Sequence, residues 1–274
     1  MIFFIDIEKA REGLVQRKVT VTRSGKTFQQ TVWVRPEISK TQVNRAIYNF
    51  DRNYRPHFNS VERKGLEKIS AKEAISRYQK GVESMMQDCN VNIRLNSKTL
   101  SKILEKGEFL NQHEIRHSGG IYDPKFRRQY ESAIFGLKKD SPAKRFPIYG
   151  YLTSKTGKTG THNLKQYGNI IVQLKDDVKL RSSFTQGDSH DRKHIAPSLI
   201  SNPKYYSLDP YKPKILKKLY KGEKASISDE ETYFEAQVFG GVSLKDIKSI
   251  KLRGEKLSKK DKERLSEFKI EVKE

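Results

Sequence analysis

An acidic residue, Glu235, lies inside an apolar run of the sequence, residues 233–239 (YFEAQVF), which is followed by Gly240 and Gly241. Aromatic and aliphatic residues in a short run bounded by glycines predict a β-strand. A carboxylate buried in such a strand is costly unless it is paired or has a function. The fold must therefore bury this strand and also give Glu235 polar partners.

Two upstream segments can supply such partners, because each combines polar side chains with a predicted strand. Residues 144–152 (KRFPIYGYL) lead from two basic residues into an aromatic strand, and residues 181–189 (RSSFTQGDS) form a strand end rich in hydroxyl groups. An arginine, then a serine or threonine, then a glutamate, each on a strand, indicate a site for an anionic nucleotide.

Composition limits the class of protein but does not decide its function. The 274 residues, 35% hydrophobic and 10% aromatic, suffice for one large domain or for a medium domain with an extension. The net charge of +22 predicts attraction to polyanions, although a solvated lysine-rich surface explains it equally well. Cys89 is the single cysteine, which excludes a disulfide within the chain and fits a reducing cytoplasm without excluding secretion.

The sequence predicts an α+β protein. Residues 1–8 read as an edge strand rather than a signal peptide, and no apolar run approaches the length of a membrane span. We expect a region of hairpin and helices over residues 1–90 and a second domain over residues 91–274. The elements predicted are a hairpin over residues 18–34, helices that begin at Ser39, Ser70, Ser97 and Asp123, a helix capped by Ser243, and strands at 149–152, 169–174, 180–185, 232–238 and 268–272.

A zinc site is the competing interpretation of one segment. Residues 113–117 (HEIRH) match the H-E-x-x-H pattern, in which two histidines on one helical face bind zinc and the glutamate activates water. Glycines at 119 and 120 break the predicted helix, and the sequence marks no third ligand. A zinc hydrolase that uses His113 and His117 is therefore the alternative, and we expect no metal site.

The three segments around Arg145, Ser183 and Glu235 resemble the ADP-ribosyltransferase superfamily, in a bacterial and phage-associated branch of its arginine-serine-glutamate class. The resemblance covers about the last half of the chain, from about Asn111 onward. It implies a C-terminal split β-sandwich flanked by helices, with NAD in the cleft between its halves. Similar domains are fused to phage head proteins as toxins, so the resemblance also implies a toxin or effector of a phage or mobile element, acting in the cytoplasm of a bacterial host.

The resemblance implies catalytic roles for three residues. Arg145 would pair with the NAD diphosphate, with Arg116 and Arg181 as alternatives. Ser183 would hold the nicotinamide ribose and orient Glu235. Glu235 would bind a ribose hydroxyl and stabilise the positive charge that develops as nicotinamide leaves.

Further contacts to NAD follow from the same resemblance. Thr185 is the alternative to Ser183 at the ribose, and Tyr149 or Phe184 would stack on the nicotinamide ring. Tyr233 is expected to contact NAD and occupies the position at which arginine-modifying members carry a second acid. The ADP-ribose acceptor is therefore expected to be a nucleic acid or a protein bound to one. A non-enzymatic nucleic-acid-binding protein, which depends on the charge of +22 alone, is a further alternative.

Overall fold

The computed structural model describes residues 15–23, 26–34, 70–116, 123–135, 137–138, 140–156, 164–188, 198–200, 215, 218–219, 221–229 and 233–274. Within these residues the architecture is mixed α and β, with a large and mostly antiparallel sheet, which confirms the α+β class. The strand predicted over residues 1–8 and the helix predicted from Ser39 lie outside the described residues.

The strands of the described part form one large sheet and two small ribbons. In chain order they are β1 Val15–Arg23, β2 Lys26–Val34, β3 Cys89–Leu95, β4 Glu108–Phe109, β5 Ile148–Ser154, β6 Ile170–Leu174, β7 Ser182–Gln186, β8 Ser198–Leu199, β9 Phe234–Val238, β10 Val242–Ser243, β11 Ile247–Lys251 and β12 Glu271–Lys273. The large sheet has eight strands in the order β12-β11-β6-β3-β5-β9-β7-β8. Only the β11–β12 pair is parallel among these neighbours.

The α-helices of the described residues are α1 Ala71–Gln87, α2 Ser97–Lys106, α3 Gln112–Ile115, α4 Pro124–Phe135 and α5 Lys259–Glu267. Short 3-10 turns cover Ala143–Arg145, Lys165–Tyr167, Asp176–Arg181, Ile227–Asp229 and Leu244–Asp246. The N-cap signals locate helix starts well: Ser70 accepts a hydrogen bond from the backbone of Glu73, as predicted. The cap of α2 is Asn96 rather than Ser97, because the Asn96 carboxamide accepts from the backbone of Thr99.

The predicted hairpin is confirmed, since β1 and β2 pair antiparallel from Val15 opposite Val34 to Arg23 opposite Lys26. The apolar spacing of the helix that begins at Ser70 predicts that it extends to Cys89, and this prediction was wrong. Cys89 lies on the apolar spacing of helix α1, but the helix ends at Gln87 and Cys89 opens strand β3 in the middle of the large sheet. Its side chain is fully buried, as helical and strand patterns alike require.

One apolar core joins α1 to the sheet. Val82, Met85 and Met86 of this helix belong to the same buried cluster as the inner residues of β3, β5, β6 and β9. Ile215 and Leu219, four residues apart in helical conformation, are also fully buried in it. Helix α1, which the sequence assigned to the region 1–90, thus packs on the large sheet, whose strands belong to the region 91–274 except for the start of β3. Across the described residues, no helix combines the length and the apolar character that a membrane crossing requires.

Candidate active-site cleft

A cleft with a volume of about 350 Å³ opens on one face of the large sheet. Eight of the residues that line it are charged or aromatic: Arg94, Arg127, Tyr149, Tyr151, Tyr167, Asp188, Tyr233 and Glu235. The cleft therefore offers cations, one deeply placed acid and flat apolar surfaces within the same space.

Strand pairing brings the predicted acid and hydroxyl groups to this face. Strand β9 lies between β5 and β7, so that Glu235 stands opposite Tyr151 on one side and opposite Thr185 on the other. Residues directly opposite each other in antiparallel strands face the same side, and so do residues two apart in one strand. Ser183 and Gln237 consequently share the face of Glu235.

A chain of hydrogen bonds ties Glu235 to the hydroxyl-rich strand. Gln237 donates from Nε2 to Oε1 of Glu235 over 2.9 Å and to Oγ1 of Thr185 over 3.1 Å. Ser183 donates from Oγ to Oε1 of Gln237 over 2.7 Å. All four side chains are buried, Glu235 being 7% exposed. The amide of Gln237 thus holds the carboxylate, and the two hydroxyl groups hold the amide.

A second buried carboxylate, Glu131 of helix α4, lies beside the cleft. Its Oε2 is 2.7 Å from Nε2 of His113, and its Oε1 accepts from the hydroxyl of Tyr149 over 2.8 Å and from Nη1 of Arg127 over 3.1 Å. The Glu131 side chain is 1% exposed and that of His113 is 3% exposed. The Arg127 guanidinium also lies over the Tyr149 ring, 5.4 Å from its centroid.

The charges of the cleft hold its side chains in defined protonation states. Burial opposes the charge of Arg127, but the nearby Tyr149, Glu131 and Glu235 prevail and raise its pKa. Burial, followed by the proximity of Glu131 and Glu235, raises the pKa of Tyr149 well above its ordinary value. Tyr149 therefore remains a neutral hydrogen-bond donor, and Arg127 remains a cation.

Part of the wall of the cleft is made of aromatic and aliphatic side chains. Tyr151, Tyr233 and Leu164 form a small buried cluster of their own, and burial raises the pKa of Tyr151 to about 12. Tyr167 and Ile115 line the same cleft while 39% and 49% exposed. A flat ring can bind against this wall with little polar surface left unpaired.

The residues predicted from the sequence fall into two groups. Glu235, Tyr149 and Tyr233 line the cleft, and Ser183 and Thr185 lie behind it, joined to Glu235 through Gln237. Tyr149 presents one ring face to Arg127, which leaves at most its other face for a ligand.

Two predicted residues lie elsewhere. Phe184 is fully buried in the main core, because the alternation of β7 turns it away from the face that Ser183 and Thr185 share. It packs against Phe234 at a centroid distance of 6.2 Å rather than facing the cleft. Arg145 is exposed in the turn Ala143–Arg145, before β5 begins, and is not among the residues that line the cleft.

The alternative arginines also lie apart from the cleft. Arg181 is buried and binds the chain after β9. Its Nη1 atom donates to the carbonyl of Phe239 at 2.6 Å and to that of Gly241 at 2.5 Å. Its Nη2 atom forms an ion pair with Asp246 at 2.9 Å. It fixes the turn after β9 and thereby the end of the strand that carries Glu235. Arg116 is exposed at the end of α3 with a φ of 53°.

The H-E-x-x-H segment has structural partners. Helix α3 ends at Ile115, so the helical face that the motif requires is not continued, and His117 lies outside the described residues. His113 is bound to Glu131, and the Glu114 carboxylate accepts from the backbone of Asn111 over 2.9 Å in a capping box. The described residues hold no cluster of three or more acidic, histidine or cysteine side chains suited to a metal ion.

Four residues in or beside the cleft were not selected from the sequence: Arg94, Arg127, Glu131 and Gln237. Arg127 and Glu131 are one helical turn apart, and Gln237 is two residues from Glu235 on the same strand, so both spacings were visible as signals. Arg94 was hidden because its strand was not predicted. It donates from Nε to the carbonyl of Gly168 over 2.5 Å, and burial lowers its pKa.

Comparison with known proteins gives one distant relative and no family. No family model matches the chain. The chain is similar to the Gene 2 protein of Mycobacterium phage D29, with 29% identity over 166 residues, which are 56% of this chain and 61% of that protein. The chain thus covers less than two thirds of this relative, whose name states no activity.

Proposed function

We propose that the chain is an NAD-dependent ADP-ribosyltransferase or an NAD glycohydrolase, with Glu235 as its catalytic carboxylate. The observation that carries the proposal is the buried position of Glu235 on a cleft, held through Gln237 by Ser183 and Thr185. A buried acid that a polar network holds in place is typical of catalytic sites. The combination of a strand hydroxyl and a strand glutamate is also what the resemblance to the arginine-serine-glutamate class requires.

The residues of the cleft suit the chemistry of NAD. Arg94 and Arg127 can meet a diphosphate, and the wall that contains Tyr151 and Tyr233 can take a planar ring. The volume of about 350 Å³ lies within the range of about 300–1,000 Å³ of small-molecule pockets. In this proposal the cleft arginines replace Arg145 as the contacts to the diphosphate.

Glu235 would act on the bond between the ribose and nicotinamide. This bond breaks with both electrons going to nicotinamide, and positive charge develops on the ribose, as in glycoside hydrolysis. Glu235 would accept a hydrogen bond from a ribose hydroxyl and stabilise that charge. The incoming water or acceptor group then bonds to the same ribose carbon and releases its proton. Gln237 keeps the carboxylate oriented throughout.

The proposal also includes a specific fold type, the split β-sandwich, and an origin in a phage or mobile element. A split β-sandwich of the ADP-ribosyltransferase type would require the eight strands, which pair as one continuous sheet, to form two packed layers. A role as a toxin or effector of a phage or mobile element is supported by the similarity to a protein of phage D29.

Replacement of the acid tests the proposal. Glu235→Gln keeps the shape of the side chain but removes its charge, so we expect nicotinamide release from NAD to fall by about 100-fold or more. Glu263→Gln, on an exposed part of α5, is the matched control and should leave the rate unchanged. Circular dichroism verifies that both variants fold. Equal rates in the wild type and in Glu235→Gln would remove Glu235 from the mechanism.

A second candidate function, nucleic-acid binding, is favoured by the net charge of +22. Arg77, Lys80, Lys221 and Lys224 line a pocket between α1 and residues 221–225. The segment 211–221 (YKPKILKKLYK) interleaves lysines with aromatic and aliphatic residues, a pattern that suits phosphate contact. Of its lysines, Lys212, Lys214 and Lys217 lie outside the described residues, and Lys218 pairs with Asp229 at 2.9 Å. The two candidates are compatible if a polyanion is the ADP-ribose acceptor.

A further inference from the structure

We propose that Arg127 forms a phosphate-binding subsite in the cleft and that Glu131 is the positioning residue that holds it there. The ligand class is a ribose phosphate or diphosphate. The inference deepens the proposed function, since NAD carries such a group, but the subsite would bind a nucleotide whether or not the protein cleaves it.

Glu131 has the environment of a positioning residue. Its carboxylate is almost completely buried and is satisfied by donors from three different elements: His113 of α3, Arg127 of α4 and Tyr149 of β5. Because an ionised carboxylate only accepts hydrogen bonds, the Nε2 atom of His113 carries a proton toward it. The His113 ring is itself packed against Phe146, with centroids 4.2 Å apart. The carboxylate therefore has little freedom to move.

Glu131 binds Arg127 but does not engage all of the hydrogen-bond donors of its guanidinium. Nη1 is bound to Glu131 at 3.1 Å, and the guanidinium plane is supported by the Tyr149 ring. Among the described contacts, Nε and Nη2 have no protein acceptor, and the side chain is 14% exposed where it lines the cleft. An arginine fixed in this way loses little freedom when it binds, and its fork of donors matches a phosphate.

The side chain of Gln112 indicates which group of the ligand lies next to the phosphate. Gln112 lines the same cleft, and its Oε1 is buried with no hydrogen-bond partner in the described part of the chain. A buried acceptor without a donor destabilises the protein. A ligand that donates a hydrogen bond to this oxygen would remove that penalty on binding. A ribose hydroxyl beside a phosphate supplies one. Gln112 and Arg127 together therefore favour a ribose phosphate over inorganic phosphate.

The matched control lies one position along the same helix. Arg128 is the next residue of α4, but its guanidinium lies over Phe146, 5.0 Å from the ring centroid, and donates to the carbonyl of Ser141. It is not among the residues that line the cleft. Arg128→Gln thus removes a partly buried arginine from α4 while leaving the contacts of Arg127 with Glu131 and Tyr149 in place.

Calorimetric titration of the full chain with ADP tests the subsite without any chemistry. We expect Arg127→Gln to weaken ADP binding by about 10-fold or more, since it removes hydrogen bonds between charged groups, while Arg128→Gln leaves it unchanged. Glu131→Gln should also weaken binding. Because Glu131 acts through Arg127, the double variant should bind no more weakly than Arg127→Gln alone.

Several results would overturn the inference. These are no ADP binding by the wild-type protein, unchanged affinity in a folded Arg127→Gln variant, or a loss in Glu131→Gln that adds fully to that of Arg127→Gln. If Arg127→Gln does not fold, Arg127→Lys keeps a charge beside Glu131 and removes the fork, and it must still weaken binding. ADP binding that depends on Arg127, without release of nicotinamide from NAD, would refute the proposed function and leave the subsite standing.

Discussion

Gln237 donates its amide hydrogen to Glu235 over 2.9 Å, from a position two residues further along the same strand. The orientation of this amide is set from the neighbouring strand, because Ser183 donates to its oxygen and so turns its nitrogen toward the carboxylate. The amide is neutral, so this hydrogen bond orients the acid without adding an opposing charge.

We expect Ser183→Ala to reduce activity more than its loss of folding stability would explain. It leaves the buried oxygen of Gln237 without its donor, which should lower the free energy of unfolding by about 1–3 kcal/mol. It also frees the amide that orients Glu235, so nicotinamide release should fall by about 10-fold or more.

Ser182→Ala is the control for that variant. Ser182 is equally buried on the adjacent position of β7, but its hydroxyl donates to the carbonyl of Val178 over 2.7 Å, away from Glu235. Urea unfolding should show similar losses of stability in the two variants, with activity lost only in Ser183→Ala. Equal activities would mean that Ser183 serves the fold alone.

Stability should fall in alkaline solution through the buried thiol of Cys89. Burial raises its pKa from 9.0 to about 12, so above pH 9.0 the unfolded chain loses this proton while the folded chain keeps it. The contribution is complete below pH 9.0 and declines with rising pH by at most about 1.4 kcal/mol per pH unit. Tyr151, with a pKa raised from 10.0 to about 12, adds to the decline above pH 10.0.

The window between these two onsets isolates the thiol. Urea unfolding between pH 9.0 and 10.0 should give a shallower decline for Cys89→Ala than for the wild type, although the variant is less stable at every pH because of its cavity. Parallel curves in this window would show that Cys89 ionises as readily in the folded protein as in the unfolded chain.

We expect the purified protein to contain no stoichiometric zinc. His113 is bound to Glu131, Glu114 caps its own helix, and that helix ends at Ile115. Elemental analysis measures the metal content directly. One zinc per chain that disappears in His113→Ala would instead favour the zinc hydrolase.

The ADP-ribose acceptor is expected to be a nucleic acid or a protein bound to one. Neutralising lysines 212, 214, 217 and 218 should weaken nucleic-acid binding and reduce the slope of its salt dependence by about 0.9 for each phosphate that is no longer neutralised, while NAD hydrolysis stays near normal. Labelled NAD in cell lysate, followed by separate nuclease and protease digestion, identifies the polymer that carries the label. Label found only on protein arginines, with no nucleic-acid affinity at physiological salt, would contradict this expectation.

Local signals in the sequence predicted much of the fold. The hairpin of β1 and β2, the cap at Ser70 and the strands that carry Tyr149, Ser183 and Glu235 were all found from turn residues, capping residues and apolar runs. These features depend on residues close together in the chain. Strand β3 was missed although Cys89, Val91, Ile93 and Leu95 alternate with polar residues, because Cys89 also lies on the apolar spacing of α1 and no glycine or proline marks the end of that helix.

The site was predicted less completely than the fold. Glu235 was selected because an acid in an apolar strand is unusual, and Ser183 because the resemblance to the arginine-serine-glutamate class implies a strand hydroxyl that orients the glutamate. Their connection through Gln237 depends on the pairing of β7 with β9, which nothing in the local sequence fixes. Arg145 was selected, with Arg116 and Arg181 as alternatives, and Arg127 was not considered, because it reaches the cleft from a helix whose orientation only the tertiary packing determines.

The position of β9 between β5 and β7 sets the moment at which the cleft becomes complete during synthesis. The ribosome releases residues in order, so β5 and β7 are both made long before the strand that must join them. Until residue 238 has emerged, the chain holds the arginine, tyrosine and serine of its cleft but not the acid or its amide partner. If Glu235 is the catalytic carboxylate, as proposed, the chain can therefore act only after β9 has been made.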